Sequence, residues 1–365
     1  MIKRLKLYRI LFYVSCLLVL YTLIGGLFIP LKTGIIGSSN DKVISNTNQK
    51  IQLTVYNFNS SASVSEVLLS ANGSFWKAHS FRFINQNTLE AEINVSLGLN
   101  ISQICDAFIK IRPDSLSNNQ EWLYLSDAFW IEKSSNDTST TNALNSKQIS
   151  QSIEDSTNID KSTQLGFPNR TVLNESIRNL LYHVPMWFSM LFLLGVSMVF
   201  SIKYLLNPKL EYDLISESFI KIGILNGILG CVTGSVWARV TWQSWWPADD
   251  PKLNGVAIGM FMYLAYLILR LTIKDEYQKA RIASVYSILI YPIFIALIAI
   301  MPKLATDTLH PGSGGSVGFN KYDLDNTLRM FFYPAVLGWI GIFSWLSILR
   351  YRIQFQLFKN ENETT

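Results

Sequence analysis

Six long apolar runs constrain the fold of this chain more than any other feature of its sequence. The first, from Ile10 to Ile29, has 20 residues and no charge. At 1.5 Å per residue, a helix of that length crosses the roughly 30 Å hydrocarbon core of a bilayer. The others fall near residues 180–201, 219–237, 255–273, 282–301 and 328–349. The pattern predicts a polytopic α-helical membrane protein with six transmembrane helices.

Charges interrupt these runs only near their ends, at Lys221, Arg270 and Arg329. Long basic side chains at such positions can snorkel to the interface, so they are compatible with spanning helices. Hydrophobic residues make up 49% of the chain and charged residues 16%. That composition is not typical of a soluble protein, and we expect membrane lipid to surround the helices.

The basic residues beside the runs predict the orientation. They cluster before the first run, between the fourth and fifth, and after the sixth: Lys3, Arg4, Lys6, Arg9, Lys274, Lys279, Arg281, Arg350, Arg352 and Lys359. Loops rich in lysine and arginine remain on the cytoplasmic side, so both termini are predicted to be cytoplasmic and three loops to face outward. This bias accounts for the net charge of +5, and no nucleic-acid partner is expected.

The first outward loop is the longest, and its first part has the periodicity of strands. Apolar residues alternate with polar ones in "KIQLTVYN" and "LEAEINVSL", and "FIKIRPD" and "AFWIEK" are two further candidates. Short strands separated by Asn, Ser and Gly predict an inserted all-β, immunoglobulin-like extracytoplasmic domain over residues 31–133.

The remaining boundaries follow from shifts in composition. Residues 134–174 are mostly polar and are predicted to be a linker. The first transmembrane helix then occupies residues 1–30, a five-helix membrane domain residues 175–353, and a cytoplasmic tail residues 354–365. The basic leader and first run are interpreted as an anchor rather than a signal peptide, because no small-residue cleavage site follows.

The cysteines exclude two classes of protein. The chain has three, Cys16, Cys105 and Cys231, and no Cys-x-x-Cys sequence. It therefore has no disulfide framework, and we expect neither a thiol oxidoreductase nor a c-type cytochrome.

Three histidines and a tryptophan-rich loop are the candidate site. His79 lies in the predicted β domain, whereas His183 and His310 lie at outer ends of the membrane domain. The stretch "GSVWARVTWQSWWPADDPKL" forms another outer loop. Two histidines and several tryptophans thus meet at one membrane face.

Such a set of residues suits haem. Two imidazoles can bind haem iron from opposite faces. Trp242, Trp245 and Trp246 are spaced by three and four residues, so on a short interfacial helix they share one face against which a porphyrin can lie. The haem propionates need cations, which near this face are Arg178, Arg239, Lys252 and Arg329.

Each residue also has a simpler interpretation. Tryptophans at a membrane boundary usually anchor a helix in the interface. A histidine at a helix end often only hydrogen-bonds locally, and the arginines can bind lipid headgroups. Asp249 and Asp250 can cap the helix that follows.

Three motifs resemble a known family. "TGSVWARVTWQSWW" followed by Asp, "YHVP" before a span, and "LHPGS" in a later outer loop are similar to the CcmC-type haem-handling proteins of cytochrome c maturation. The resemblance covers about residues 175–352 and the first span. It implies a protein of the bacterial cytoplasmic (inner) membrane that holds b-type haem non-covalently on the outer face. His183 and His310 would be the iron ligands, and Trp237, Trp242, Trp245, Trp246 and an aspartate the platform.

The resemblance also implies a function and partners. In that family haem passes to a membrane-anchored haem chaperone, and ATP-driven transporter subunits assist its release, so the chain is expected to transfer haem and not to be an enzyme. Two features depart from the family pattern. After the paired tryptophans the family usually has x-Trp-Asp, whereas "WWPADDPKL" lacks that third tryptophan. A gapless match places Asp249 at the family aspartate, whereas the "DPK" sequence favours Asp250. The β domain is an insertion, either a docking site or a structural appendage.

Three alternatives remain open at this point. A haem lyase-like cytochrome c synthase uses a similar tryptophan platform but usually has more spans or more histidines. A membrane-anchored surface-binding protein would act through its β domain. A b-type electron-transfer protein would usually carry its paired histidines inside the spans.

Overall fold

The structure is a computed structural model that describes residues 2–39, 42–58, 64–71, 73–95, 103–111, 121–132, 165–169, 173–304 and 324–364. The chain divides into two compact units. One comprises Met1–Phe28 with Arg178–Thr365, and the other Ile29–Ile177. The structure thus divides the chain into two units, and the finer division into five segments that composition predicts remains a proposal.

The first unit is a helical bundle. Its helices are α1 Ile2–Phe28, α2 His183–Leu206, α3 Leu210–Thr241, α4 Pro251–Thr272, α5 Glu276–Ile295 and α6 Asn326–Thr364. A 3-10 helix, Asn174–Leu181, leads into α2, and α5 continues through a π-helical turn, Ala296–Ile300, and a further α-helical turn, Met301–Leu304.

Six helical segments in the described part of the chain are long and apolar enough to cross a membrane. The prediction of a six-helix, multi-pass membrane protein is therefore confirmed. The helices are longer than the apolar runs that predicted them. For example, α3 begins at Leu210 and α6 continues to Thr364, through the residues assigned to the tail.

A stripe of four glycines packs α3 against α2. A Cβ atom added to Gly223 would lie 3.0 Å from Cδ2 of Leu194, and one on Gly230 would lie 2.8 Å from the indole of Trp187. A Cβ atom on Gly227 would come closest to Sδ of Met260 in α4 and next to Sδ of Met190 in α2, and one on Gly234 would meet the ring of His183. The four pairs follow one another in antiparallel order along the two helices. Because small residues allow the backbones to approach closely, they are favoured at helix contacts inside membranes.

The second unit has two sheets, and four of the nine strands described in it overlap the four predicted segments. Its strands are β1 Gly34–Ser38, β2 Lys42–Ile44, β3 Asn48–Tyr56, β4 Val64–Ala71, β5 Ser74–Lys77, β6 Ser80–Asn85, β7 Thr88–Asn94, β8 Gln103–Ile111 and β9 Glu121–Glu132. The strand orders are β1-β3-β7-β6 and β2-β9-β8-β4-β5. Pairing is antiparallel except between β2 and β9.

The two sheets share one apolar core. Leu53 in β3, Leu89 in β7, Leu69 in β4 and Ile109 in β8 are fully buried in it. Cys105 is buried there as well, and this burial raises the pKa of its thiol to about 12, so the thiol is unreactive. The N-terminal region is thus confirmed as β-rich, and an immunoglobulin-like topology stays a prediction.

A buried ion cluster ties α4 to α3, and it corrects one expectation. Arg270 does not snorkel, because its side chain is 8% exposed. Its guanidinium donates to both carboxylate oxygens of Asp213, at 2.6 and 2.7 Å, and to Glu217 at 3.2 Å. Glu217 in turn pairs with Lys221. The cluster compensates charges that are costly to bury in a membrane protein.

The cluster generates a prediction about stability. Replacing Arg270 with Met leaves two buried carboxylates without their main cation, and we expect a loss of about 3–5 kcal/mol. Thermal unfolding of the detergent-solubilised protein measures it. The control is Lys279→Met, which leaves only the solvent-exposed Glu276 unpaired and should cost less than about 1 kcal/mol. Equal unfolding temperatures for the two variants would refute a stabilising role of the buried ion cluster.

Candidate functional site

His183 is the first residue of α2, and three neighbours on two helices hold its ring. Its Nδ1 atom lies 3.1 Å from the hydroxyl oxygen of Thr233 in α3. A Cβ atom on Gly234 would come 2.5 Å from Cε1 of the ring, so only glycine allows this approach. On the other side, Trp187 meets the imidazole edge-on, with ring centroids 6.1 Å apart. The ring is half-buried and has a defined position.

The tryptophan loop begins one turn beyond Thr233. Trp237, still in α3, packs edge-on against Trp242 with centroids 5.1 Å apart. Residues 242–250, all of which the structure describes, contain no helix. The expected short interfacial helix is therefore wrong, because Pro247 lacks an amide hydrogen and Asp250 begins the next helix. Trp242 and Trp246 are half-buried, and Trp245 is 59% exposed.

The exit from α3 requires an unusual backbone conformation. Gln243 has φ 58°, a left-handed value that normally favours glycine at this position after a helix. The guanidinium of Arg239 donates to the backbone carbonyl of Gln243, and the side-chain amide of Gln243 (Nε2) donates to the carbonyl of Val240 at 3.2 Å. Arg239 thus supports the start of the loop, in addition to being a cation at this end of the bundle.

The two aspartates of the loop have different environments. Asp250 is 2% exposed and caps α4, because its Oδ1 accepts hydrogen bonds from the amides of Lys252 at 2.9 Å and Leu253 at 3.1 Å. Pro251 follows as the first helical residue, where its missing amide hydrogen costs nothing. Asp249 is exposed. The capping interpretation is therefore correct for Asp250.

The remaining predicted residues surround the same end of the bundle. Arg178, in the 3-10 helix before α2, donates to the carbonyl of Gly26 near the end of α1 at 2.7 Å. Arg329 is half-buried in the first turn of α6, and Lys252 is half-buried in the first turn of α4. His310 lies outside the described residues, as does most of the loop that contains it.

Sequence reasoning did not single out Thr233 and Gly234, although both lie in the quoted motif. The signal that identifies Gly234 is the spacing of Gly223, Gly227, Gly230 and Gly234, which repeats every three or four residues on one helix face. Thr233 has no such pattern. Its partner is 50 residues earlier in the chain, so only the packing of α2 on α3 reveals it.

The bundle and its loop define a class of protein. It is a multi-pass membrane protein in which one end of the helices presents a histidine held by a neighbouring helix beside a tryptophan-rich, non-helical loop. The chain belongs to the CcmC family, since the sequence model of that family, described as heme exporter protein C, matches residues 164–365.

Individual relatives are similar to parts of the chain. A heme exporter protein C of Haemophilus influenzae is 27% identical over 141 residues, which cover 36% of this chain and 52% of the relative. One from Bradyrhizobium diazoefficiens is 31% identical over 114 residues, 31% of this chain and 43% of the relative. A cytochrome c biogenesis protein CcsA of Prochlorococcus marinus is 37% identical over 62 residues, 17% of this chain and 20% of the relative. The chain spans about half the length of the heme exporter proteins it matches.

The cap at Asp250 gives a prediction that separates the two aspartates. Replacing Asp250 with Ala removes the acceptor for two amides at the start of α4 and should cost about 1 kcal/mol, whereas Asp250→Asn keeps an acceptor and should cost much less. Thermal unfolding in detergent measures both. Asp249→Ala, at an exposed position, is the control and should stay within about 0.5 kcal/mol of the parent. A larger effect at Asp249 than at Asp250 would contradict the capping role.

Proposed function

We propose that this chain binds haem at the outer face of the bacterial cytoplasmic membrane and delivers it to a membrane-anchored haem chaperone for cytochrome c maturation. The observation that carries the proposal is the position of His183. An imidazole that can bind iron is held by α3 at the end of the bundle where the tryptophan loop begins. Membership of the CcmC family supports the same function.

The residues present suit haem as the cargo. His183 would bind the iron from one side, and His310 is proposed as the ligand on the other. Trp237, Trp242, Trp245 and Trp246 would contact the porphyrin, for which flat indole rings are well suited. The exposed indole of Trp245 is available for such a contact.

The cations at this end suit the haem propionates. Arg239 is exposed in the last turn of α3, just before the loop, and Lys252 lies in the first turn of α4, just after it. Arg178 and Arg329 are proposed as further partners at the starts of α2 and α6. Of the aspartates, Asp249 is exposed at the rim of the loop, and Asp250 would act by fixing where the loop ends.

The proposed activity is transfer rather than catalysis. The two histidines would hold haem by coordination alone, so that a chaperone can take it by exchanging iron ligands without a covalent bond to this chain. ATP-driven transporter subunits are proposed to assist release. Both termini would be cytoplasmic, and the β unit and the tryptophan loop would face outward, as the distribution of basic residues indicates.

The three histidines allow a direct test of the ligands. His183→Ala and His310→Ala should each weaken the absorption bands of retained haem, and the double variant should lack them, because no imidazole remains at the site. Spectra of the purified protein, oxidised and reduced, measure this. His79→Ala is the matched control and should retain haem at the parental level. Parental haem content in the double variant would refute the assignment.

The glycine stripe supplies a second test that leaves both ligands in place. An added methyl group at Gly234 collides with the rigid imidazole of His183, so Gly234→Ala should reduce haem affinity about 10-fold or more. At Gly227 the atoms in the way belong to the flexible side chains of Met190 and Met260. Gly227→Ala should therefore have little effect in the same haem titration. Equal affinities of the two variants would contradict the proposed position of His183.

A further inference from the structure

We propose that Thr233 is a positioning residue that selects the tautomer of His183, so that Nε2 carries the lone pair for iron. The inference rests on the proposed function, because it assumes that His183 binds haem. It concerns a residue that contacts His183 and is not itself one of the proposed iron ligands.

The first step of the argument is the direction of the Thr233 hydroxyl proton. The hydroxyl oxygen lies 2.9 Å from the carbonyl of Leu229 and 3.2 Å from that of Gly230, one turn earlier in α3. The Leu229 carbonyl is nearer to the hydroxyl than Nδ1 of His183 is, and a carbonyl can only accept, so we infer that the single hydroxyl proton is donated within the helix. The oxygen then faces His183 as an acceptor.

The second step follows at the imidazole. With the Thr233 oxygen as an acceptor 3.1 Å away, Nδ1 of His183 then carries the hydrogen and donates it to Thr233. In a neutral imidazole the other nitrogen, Nε2, then has the lone pair. This arrangement is the one that metal-binding histidines use generally, because a hydrogen bond at one nitrogen orients the ring and raises the basicity of the other.

The third step is that the rest of the contact prevents the ring from rotating away. Gly234 lies directly against Cε1, and the indole of Trp187 meets the ring edge-on. The side-chain amide of Asn179 donates to the carbonyl of Thr233 at 3.3 Å, which links the segment before α2 to the same turn of α3. These contacts hold Thr233 and His183 at a fixed distance. We infer that the hydroxyl oxygen of Thr233, and not the size of its side chain, selects the tautomer of His183.

The test compares Thr233→Val, which keeps the shape but removes the acceptor, with Thr233→Ser, which restores a hydroxyl. Thr22→Val is the matched control, since Thr22 is buried in α1 and also donates to a carbonyl of its own helix, that of Val19, at 2.8 Å. Should the valine variant not fold, Thr233→Ala compared with Thr233→Ser answers the same question.

The first measurement needs no haem. The chain has three histidines, so protein labelled with ¹⁵N-histidine has three imidazoles, and His183 is assigned with the His183→Ala variant. In the parent, Thr233→Ser and Thr22→Val, the nitrogen shifts of His183 should report hydrogen on Nδ1. In Thr233→Val they should move towards the form with hydrogen on Nε2. An unchanged tautomer in Thr233→Val would overturn the inference.

The second measurement is haem affinity by optical titration of the same proteins. Thr233→Val should bind haem about 10-fold or more weakly, and Thr233→Ser within roughly 3-fold of the parent. Parental affinity in Thr233→Val, or equal losses in the valine and serine variants, would overturn the positioning role. If His183→Ala binds haem as tightly as the parent, the ligand assignment itself fails. That result is distinct, because the tautomer measurement made without haem is unaffected by it.

Discussion

The close contact between the glycine face of α3 and α2 is the interaction on which the site depends. Inside a membrane, burial of apolar surface from water does not drive helices together, so their association relies on tight packing. Glycines remove the side chains that would hold the backbones apart, and the α2 partners of Gly223, Gly230 and Gly234 then fix both the rotation and the register of the two helices. In that register His183 lies beside Thr233, and Trp237 follows one turn later.

The other end of the bundle is stabilised by buried ion pairs between Arg270 and the carboxylates of Asp213 and Glu217. Asp213 and Trp237 are about 36 Å apart along α3, so the Arg270 cluster lies far from the tryptophan loop. Its charges are buried and paired, and if the arginine is removed Asp213 loses its arginine partner whereas Glu217 keeps its pair with Lys221. The irregular loop from Trp242 to Asp250 joins the end of α3 to the start of α4, so a helix end supports it on each side. Functional residues on a loop need a rigid scaffold of this kind.

Much of the fold was predictable because apolar periodicity is a local property. The six runs identified six helices, and the alternation in "KIQLTVYN" and "LEAEINVSL" identified β3 and β7. The start of α3 was missed, because its polar first turns looked like a loop. Asp213 and Glu217 are buried in this helix, where Arg270 from another helix pairs with them. Similarly, the tryptophan spacing predicted a shared helix face, but Pro247 and the cap at Asp250 produce a non-helical loop instead.

The sequence by itself determined the membrane class, the number of spans, the β-rich insertion and the motifs that assign the family, since all of these depend on residues near one another in the chain. Only the tertiary structure decided which residues meet across helices. Thr233 and His183 are 50 positions apart, and Arg270 and Asp213 are 57 apart. Such pairs depend on the rotation and register of whole helices, and a helical repeat of 3.6 residues specifies the face of one helix but not its partner on the next.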